Sequence, residues 1–189
     1  MHTPSSRPER RGVRKYRTLG LAGIADAVRS RVLRLFQRAY WYVRRRWCQW
    51  IHPGRVTSAY GVDLVPNWKD ATFRLYLTGA YGMELATLLT RRTSPFIFID
   101  IGANQGLYSL LAARNPQCQK VIALEPVTTT YALLARNINL NGAAERIIPL
   151  PWAISDRSGS ALISFKPNHS GGASLAHKSV ASKAEEEMI

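Results

Sequence analysis

Apolar residues recur at Leu21, Ile24, Val28, Val32, Leu35, Ala39, Val43, Trp47 and Trp50. Steps of three and four place them on one stripe, so the pattern predicts an amphipathic helix over about 21–51. "HPGR" at 52–55 ends it. "GVDLVP" (61–66) reads as a strand, and "NWKDATFRLYLTGAYGMELATLL" as a helix, a glycine turn and a second helix from near Gly82. A regular alternation follows. Strand Phe96–Ile101 leads to helix Leu107–Asn115, which Asn115-Pro116 stops. Strand Lys120–Leu124 leads to helix Thr128–Leu140, with Thr128 placed to cap it and Asn141-Gly142 to end it. Strand "RIIPLPWAI", the turn "SDRSG" and strand "SALISF" then read as a hairpin. From Asn168 onward there is no apolar periodicity.

Strand–helix–strand–helix–strand predicts an α/β fold with a doubly wound parallel sheet. Ligands of such sheets bind beyond the C-terminal strand ends, where Asp100 and Glu125 stand. "FIFIDI" is apolar on both faces, as a strand buried in mid-sheet would be. Nothing after Phe165 reads as its second neighbour, so the strand is expected to keep an exposed apolar edge. The chain therefore reads as C-terminally truncated. The expected organisation is a basic arm (1–55, with 1–20 disordered), a partial domain (56–175) and a tail (176–189).

Charge sharpens that division. Residues 1–55 hold fourteen of the 26 Lys and Arg but only two acids, Glu9 and Asp26. The arm thus carries +12 of the net +14, and the high isoelectric point says nothing about what the domain binds. Three readings of the arm helix stay open: packing on its own domain, lying on a membrane surface, or contacting nucleic acid. No apolar run is long enough to span a bilayer, and no secretory signal follows the basic start. A mitochondrial transit peptide is compatible by composition. The two cysteines suggest no disulfide framework, which fits a reducing compartment. Cys48 and His52 could share a helix face, yet no third ligand stands at metal spacing, nor do His169 and His177 complete a set. The chain is expected to be cytoplasmic and metal-free, with membrane association through 21–51 as the alternative.

The loop Gly102-Ala103-Asn104-Gln105-Gly106 joins the first acid to a helix start. A dinucleotide fold needs G-x-G-x-x-G, and here residue 104 is asparagine and an acid precedes the first glycine. S-adenosylmethionine suits these residues better. The amides of Ala103 to Gly106 match its carboxylate, Asp100 its ammonium, and Glu125 both ribose hydroxyls. The alternative is a tight turn with Asp100 capping the helix, which leaves Glu125-Pro126 unexplained.

At "FIFIDIGANQGLYSLLAA", "VIALEP", "LLARNINLNG" and "AISDRSGSALISF" the sequence resembles the FkbM-type family of S-adenosylmethionine-dependent methyltransferases, over roughly residues 61–175. The resemblance implies a Rossmann-like class I methyltransferase fold and methylation of hydroxyl groups on sugars or natural products. By position, Asp100, Gly102, Ala103, Asn104, Gln105 and Gly106 would form the methionine-side loop and Glu125 would hold the ribose. Ala153 to Asp156 would lie near the adenine, and Glu84, in "GAYGMELATLL", would line the pocket. The family's later D-x-E-G element is not present. His169 is the histidine nearest these motifs and the candidate base. A truncated, non-catalytic chain that binds no cofactor is one alternative reading. A nucleic-acid methyltransferase is another, but "PLPW" (149–152) follows the third strand and has a misplaced proline, so nucleic acid is not the expected partner.

Overall fold

The computed structural model describes residues 28, 29, 31–33, 35, 36, 39, 40, 42, 43, 46, 47, 50, 53–174 and 185–189. The start of the arm, Cys48, His52 and His177 lie outside the described residues, as does most of the tail. The chain divides into two units, Met1–Arg44 and Arg45–Ile189. In the first, the described residues from Val28 to Val43 are helical, as the stripe predicts. Val28, Val32, Leu35 and Val43 are exposed. Among the described residues no helix is long and apolar enough to cross a membrane.

In the second unit Arg46, Trp47 and Trp50 are helical, and a short antiparallel pair follows, β1 (Val56–Thr57) and β2 (Asp63–Leu64). Helix α1 (Ala71–Thr78) follows, capped by the Asp70 side chain and ended by Gly79. Gly82 then starts α2 (Met83–Arg91), where the sequence places it. The central sheet is parallel, in the order β3 (Phe96–Ile101), β4 (Cys118–Leu124), β5 (Ile147–Leu150). Helix α3 (Leu107–Arg114) joins β3 to β4, and α4 (Thr128–Leu140) joins β4 to β5. Both parallel pairs thus have the helical crossover that parallel strands require. Val121 and Ala123 of β4 and Leu107, Leu110, Leu111 and Leu134 of the helices form the buried centre.

Two asparagines one turn apart on α4 pin the N-terminal pair to this layer. Asn137 Oδ1 accepts from Val65 N at 2.7 Å, and Asn141 Nδ2 donates to Asp63 O at 2.7 Å. Their i, i+4 spacing sets both on one helix face.

One feature follows the sequence pattern and three depart from it. β3 is paired with β4 alone among the described residues, and Ile97, Ile99 and Ile101 are exposed. The unpaired edge is the one expected of a strand without a second neighbour, while the three isoleucines, at alternate positions, leave one face of the strand open. Thr128 does not cap α4: Val127 occupies that place, and the Thr128 hydroxyl donates to Glu187 instead. "SALISF" does not pair with "RIIPLPWAI". Its core becomes β6 (Leu162–Lys166), in a separate antiparallel sheet between β7 (His169–Ser174) and β8 (Glu185–Met188). The tail, which shows no apolar periodicity, supplies β8. Polar residues form these strands because the ladder is backbone, while Ile163 and Phe165 of β6 supply the apolar contact, against Val127.

Gly106, with φ of +90°, starts α3, and a Cβ there would stand 2.6 Å from Leu134 Cδ1. Gly106→Ala is expected to lose about 1–3 kcal/mol of stability in urea unfolding, from strain and overpacking together.

Candidate functional site

Parallel register sets the site. Asp100 pairs with Ala123 and Ile101 with Leu124, so the two strands end side by side and Glu125 follows one residue after. The chain then turns sharply. Gly102 N and Ala103 N both donate to Leu124 O, at 2.9 and 2.8 Å. Asn104, at φ +53°, is the one described non-glycine residue in the left-handed region, which asparagine tolerates better than most. Its N–H donates to Glu125 Oε2 at 2.9 Å, while Glu125 Oε1 accepts from Val127 N at 3.0 Å. One carboxylate therefore ties the loop after β3 to the start of α4.

Below the loop lies a polar network that the sequence reading missed. Asp70 is fully buried and caps α1 through Phe73 N at 2.7 Å. The same carboxylate accepts from Gln105 Nε2 at 3.1 Å, Ser170 N at 2.7 Å and Ser170 Oγ at 3.2 Å. Asn104 Oδ1 accepts from Ser170 Oγ at 2.9 Å, and Asn137 Nδ2 donates to Gln105 O at 2.7 Å. The side chains of Asn104 and Gln105 thus face inward. Asp70 was readable as a cap, standing just before an apolar-periodic run. Its reach to Ser170 was not, because that contact joins residues far apart in sequence.

The amides of Ala103 to Gly106 are a correction. The sequence assigned them to a ligand carboxylate, but each has an acceptor within the fold. Gln105 N donates to Asn104 Oδ1 at 2.9 Å and Gly106 N to Ala103 O at 2.9 Å, completing the set given above. A tight turn uses its own donors. The exposed backbone here is Gly102, at φ +74°, with open space where a Cβ would be.

Asp100 and Glu125 are both buried, at 8% and 5% exposure. Burial raises the Asp100 carboxyl above its ordinary range, against the lowering effect of hydrogen bonds from Ser109, whose Oγ lies 2.6 Å away. Burial likewise raises Glu125, against its bonds from Val127 and Asn104, and the nearby charge of Asp100 adds to the rise. The ion pairs among the described residues are Arg55–Asp63 and Arg157–Asp156, so neither buried acid has a cationic partner there. Two desolvated carboxylates at adjacent strand ends form a site that favours a cation.

Four tyrosines border it. Tyr81 stacks edge-on against Tyr76 at 4.9 Å and tilts toward Tyr108 at 5.7 Å, and the Tyr60 hydroxyl donates to Tyr81 O. Burial pushes the Tyr108 phenol up to about 12, so it stays neutral. These rings were missed because they come from three separate segments.

The remaining predicted residues, Glu84, Asp156 and His169, are exposed. Glu84 is exposed in the first turn of α2. His169 is exposed at the start of β7 and is the one histidine among the described residues. Asp156 is exposed, and Arg157 and Ser155 lower its pKa. It lines a cleft of about 570 Å³ with Trp152, Ala153 and Ile154, the segment expected near an adenine. Among the described residues no cluster could hold a metal ion.

No family model matches the chain. It is 36% identical over 83 residues to Methyltransferase sdnD of Sordaria araneosa, a match covering 44% of this chain and 32% of that protein. The chain thus spans about a third of that relative's length. Solved structures that resemble it include the complex of aTrm5 and tRNALeu (TM-score 0.41, 18% identity, 55% of this chain, 29% of that one). Trm5 of Methanocaldococcus jannaschii in complex with adenosine is another (TM-score 0.36, 22% identity, 51% and 27% covered). A SAM-dependent methyltransferase from Agrobacterium tumefaciens is a third (TM-score 0.34, 16% identity, 40% and 24% covered).

The raised Asp100 pKa gives a signed expectation. A carboxyl that binds its proton more tightly when folded loses stability as pH rises from the unfolded value, about 4, through the folded one. Asp100→Asn keeps an acceptor for Ser109 and removes the buried charge. Its melting temperature should gain on the parent's as pH rises from below that range to 7, in thermal melts across the series.

Proposed function

We propose that this chain binds S-adenosylmethionine and belongs to an FkbM-type methyltransferase that methylates a hydroxyl of a sugar or natural product. The observation that carries the reading is the pair of buried carboxylates, Asp100 and Glu125, at adjacent parallel strand ends without a cationic partner among the described residues. The 36% identity to Methyltransferase sdnD supports the reaction class.

The residues fit the cofactor's charges. Asp100 would complement the α-ammonium, with Ser109 holding its carboxylate in place. Glu125 has about four lone-pair sites, of which two hold the loop, leaving acceptors for the ribose hydroxyls. Gly102 would offer close approach, while Ala103 to Gly106 shape the turn rather than donate. The cleft at Trp152 to Asp156 would take the adenine, and Glu84 would border the pocket from α2. When bound, the cofactor supplies an electrophilic methyl group. This chain's part is to orient it and to shield it from water, so that the acceptor oxygen approaches in line. The hydroxyl proton needs an acceptor, and His169 is the candidate.

Isothermal titration of S-adenosylmethionine and of S-adenosylhomocysteine into the 189-residue chain tests this, with Asp100→Asn and Glu125→Gln alongside. Saturable binding is expected, weakened on the order of ten- to a hundredfold in each variant by loss of a charge-assisted hydrogen bond. No binding of either nucleoside by a chain with folded-state circular dichroism would refute the reading.

A further inference from the structure

The composition of the arm helix is one-sided. Residues 28–43 include Arg29, Arg31, Arg34 and Arg38 and no acid. At about 3.6 residues per turn, Val28, Val32, Leu35, Phe36, Ala39, Tyr42 and Val43 fall within about a third of the circumference, and that arc holds no charge. Arg31, Arg34 and Arg38 cluster on the adjoining arc by sequence position. The apolar arc lies open in the structure. Val28, Val32, Leu35, Phe36, Tyr42 and Val43 are between 44% and 70% exposed. Trp47 and Trp50, which follow, are exposed as well.

We propose that residues 28–43 lie in the surface of an anionic lipid bilayer, with the apolar arc in the acyl boundary and the arginines among the headgroup phosphates. Two features must be satisfied at once, an exposed apolar arc and a stretch of sequence with four arginines and no acid. A nucleic acid would take the arginines and leave Val32, Leu35 and Phe36 in water. An apolar protein groove would cover those residues but leave the arginines without partners. A bilayer carrying anionic headgroups supplies both partners along one plane. The exposed aromatics fit the same place, since their rings prefer the headgroup level. Arg29 falls at the border of the apolar side, where a long side chain can reach up to the phosphates. The helix lies in the plane rather than across it, because no helix among the described residues is apolar enough to cross.

The test is co-sedimentation of the 189-residue chain with large vesicles, phosphatidylcholine alone against phosphatidylcholine with phosphatidylserine. Binding to the anionic vesicles should be stronger on the order of tenfold or more, and should fall as salt is raised. The double variant V32E/F36E keeps every arginine and should lose vesicle binding, with the thermal melt of the domain unchanged. Replacing Arg31, Arg34 and Arg38 by glutamine should erase the preference for anionic over neutral vesicles. Three results would overturn the proposal. The first is no vesicle binding by the parent chain. The second is vesicle binding indifferent to V32E/F36E. The third is an arm that binds RNA tightly in both parent and V32E/F36E while vesicles fail to compete, which would make it a nucleic-acid surface.

Discussion

Glu125 is where strand, loop and helix meet. Its two oxygens accept the amides of Asn104 and Val127, fixing the turn after β3 against the start of α4. A carboxylate accepting backbone amides is held in one orientation, and each such charge-assisted bond is stronger than a neutral one. The left-handed Asn104, the Gly106 start of α3 and the open backbone of Gly102 all depend on where that turn is pinned. Asp70 does similar work beneath, joining α1, Gln105 and Ser170 through one buried group. The loop is therefore rigid before any ligand arrives, and its own amides are spent on that rigidity.

The result is a site defined by what it lacks among its described neighbours. Asp100 and Glu125 are desolvated, close enough for one to raise the other, and without an ion pair. Such an arrangement is a cost to the folded chain at neutral pH, which a cationic ligand would relieve. The stabilities of the free and bound forms should therefore respond in opposite ways to removal of the Asp100 charge.

Much of this could be read from the sequence, for identifiable reasons. β3, α3, β4 and α4 were predicted almost to their ends, because apolar runs, Asn115-Pro116 and Asn141-Gly142 mark them locally. The two acids at the strand ends followed from the same reading. What escaped was held by contacts distant in sequence. β7 and β8 are "HSGGAS" and "EEEM", with no apolar alternation, and they exist as strands because β6 pairs with both. Asp70 meets Ser170 across the fold, and the four tyrosines converge from separate segments. Local donors also misled: the amides of the glycine loop looked free, and the turn consumes them. The arm's described residues from Val28 to Val43 are helical, and only the structure shows them exposed.

The central claim is that Asp100 meets the cofactor's ammonium while Glu125 holds its ribose, and carboxyl-carbon NMR titration addresses it most directly. With both carboxyls assigned by mutation, each should titrate above the ordinary carboxylate range in the free chain. Saturating S-adenosylmethionine should bring the Asp100 midpoint down as the ammonium stabilises the ionised form. An Asp100 titration that saturating S-adenosylmethionine leaves unmoved would contradict the account.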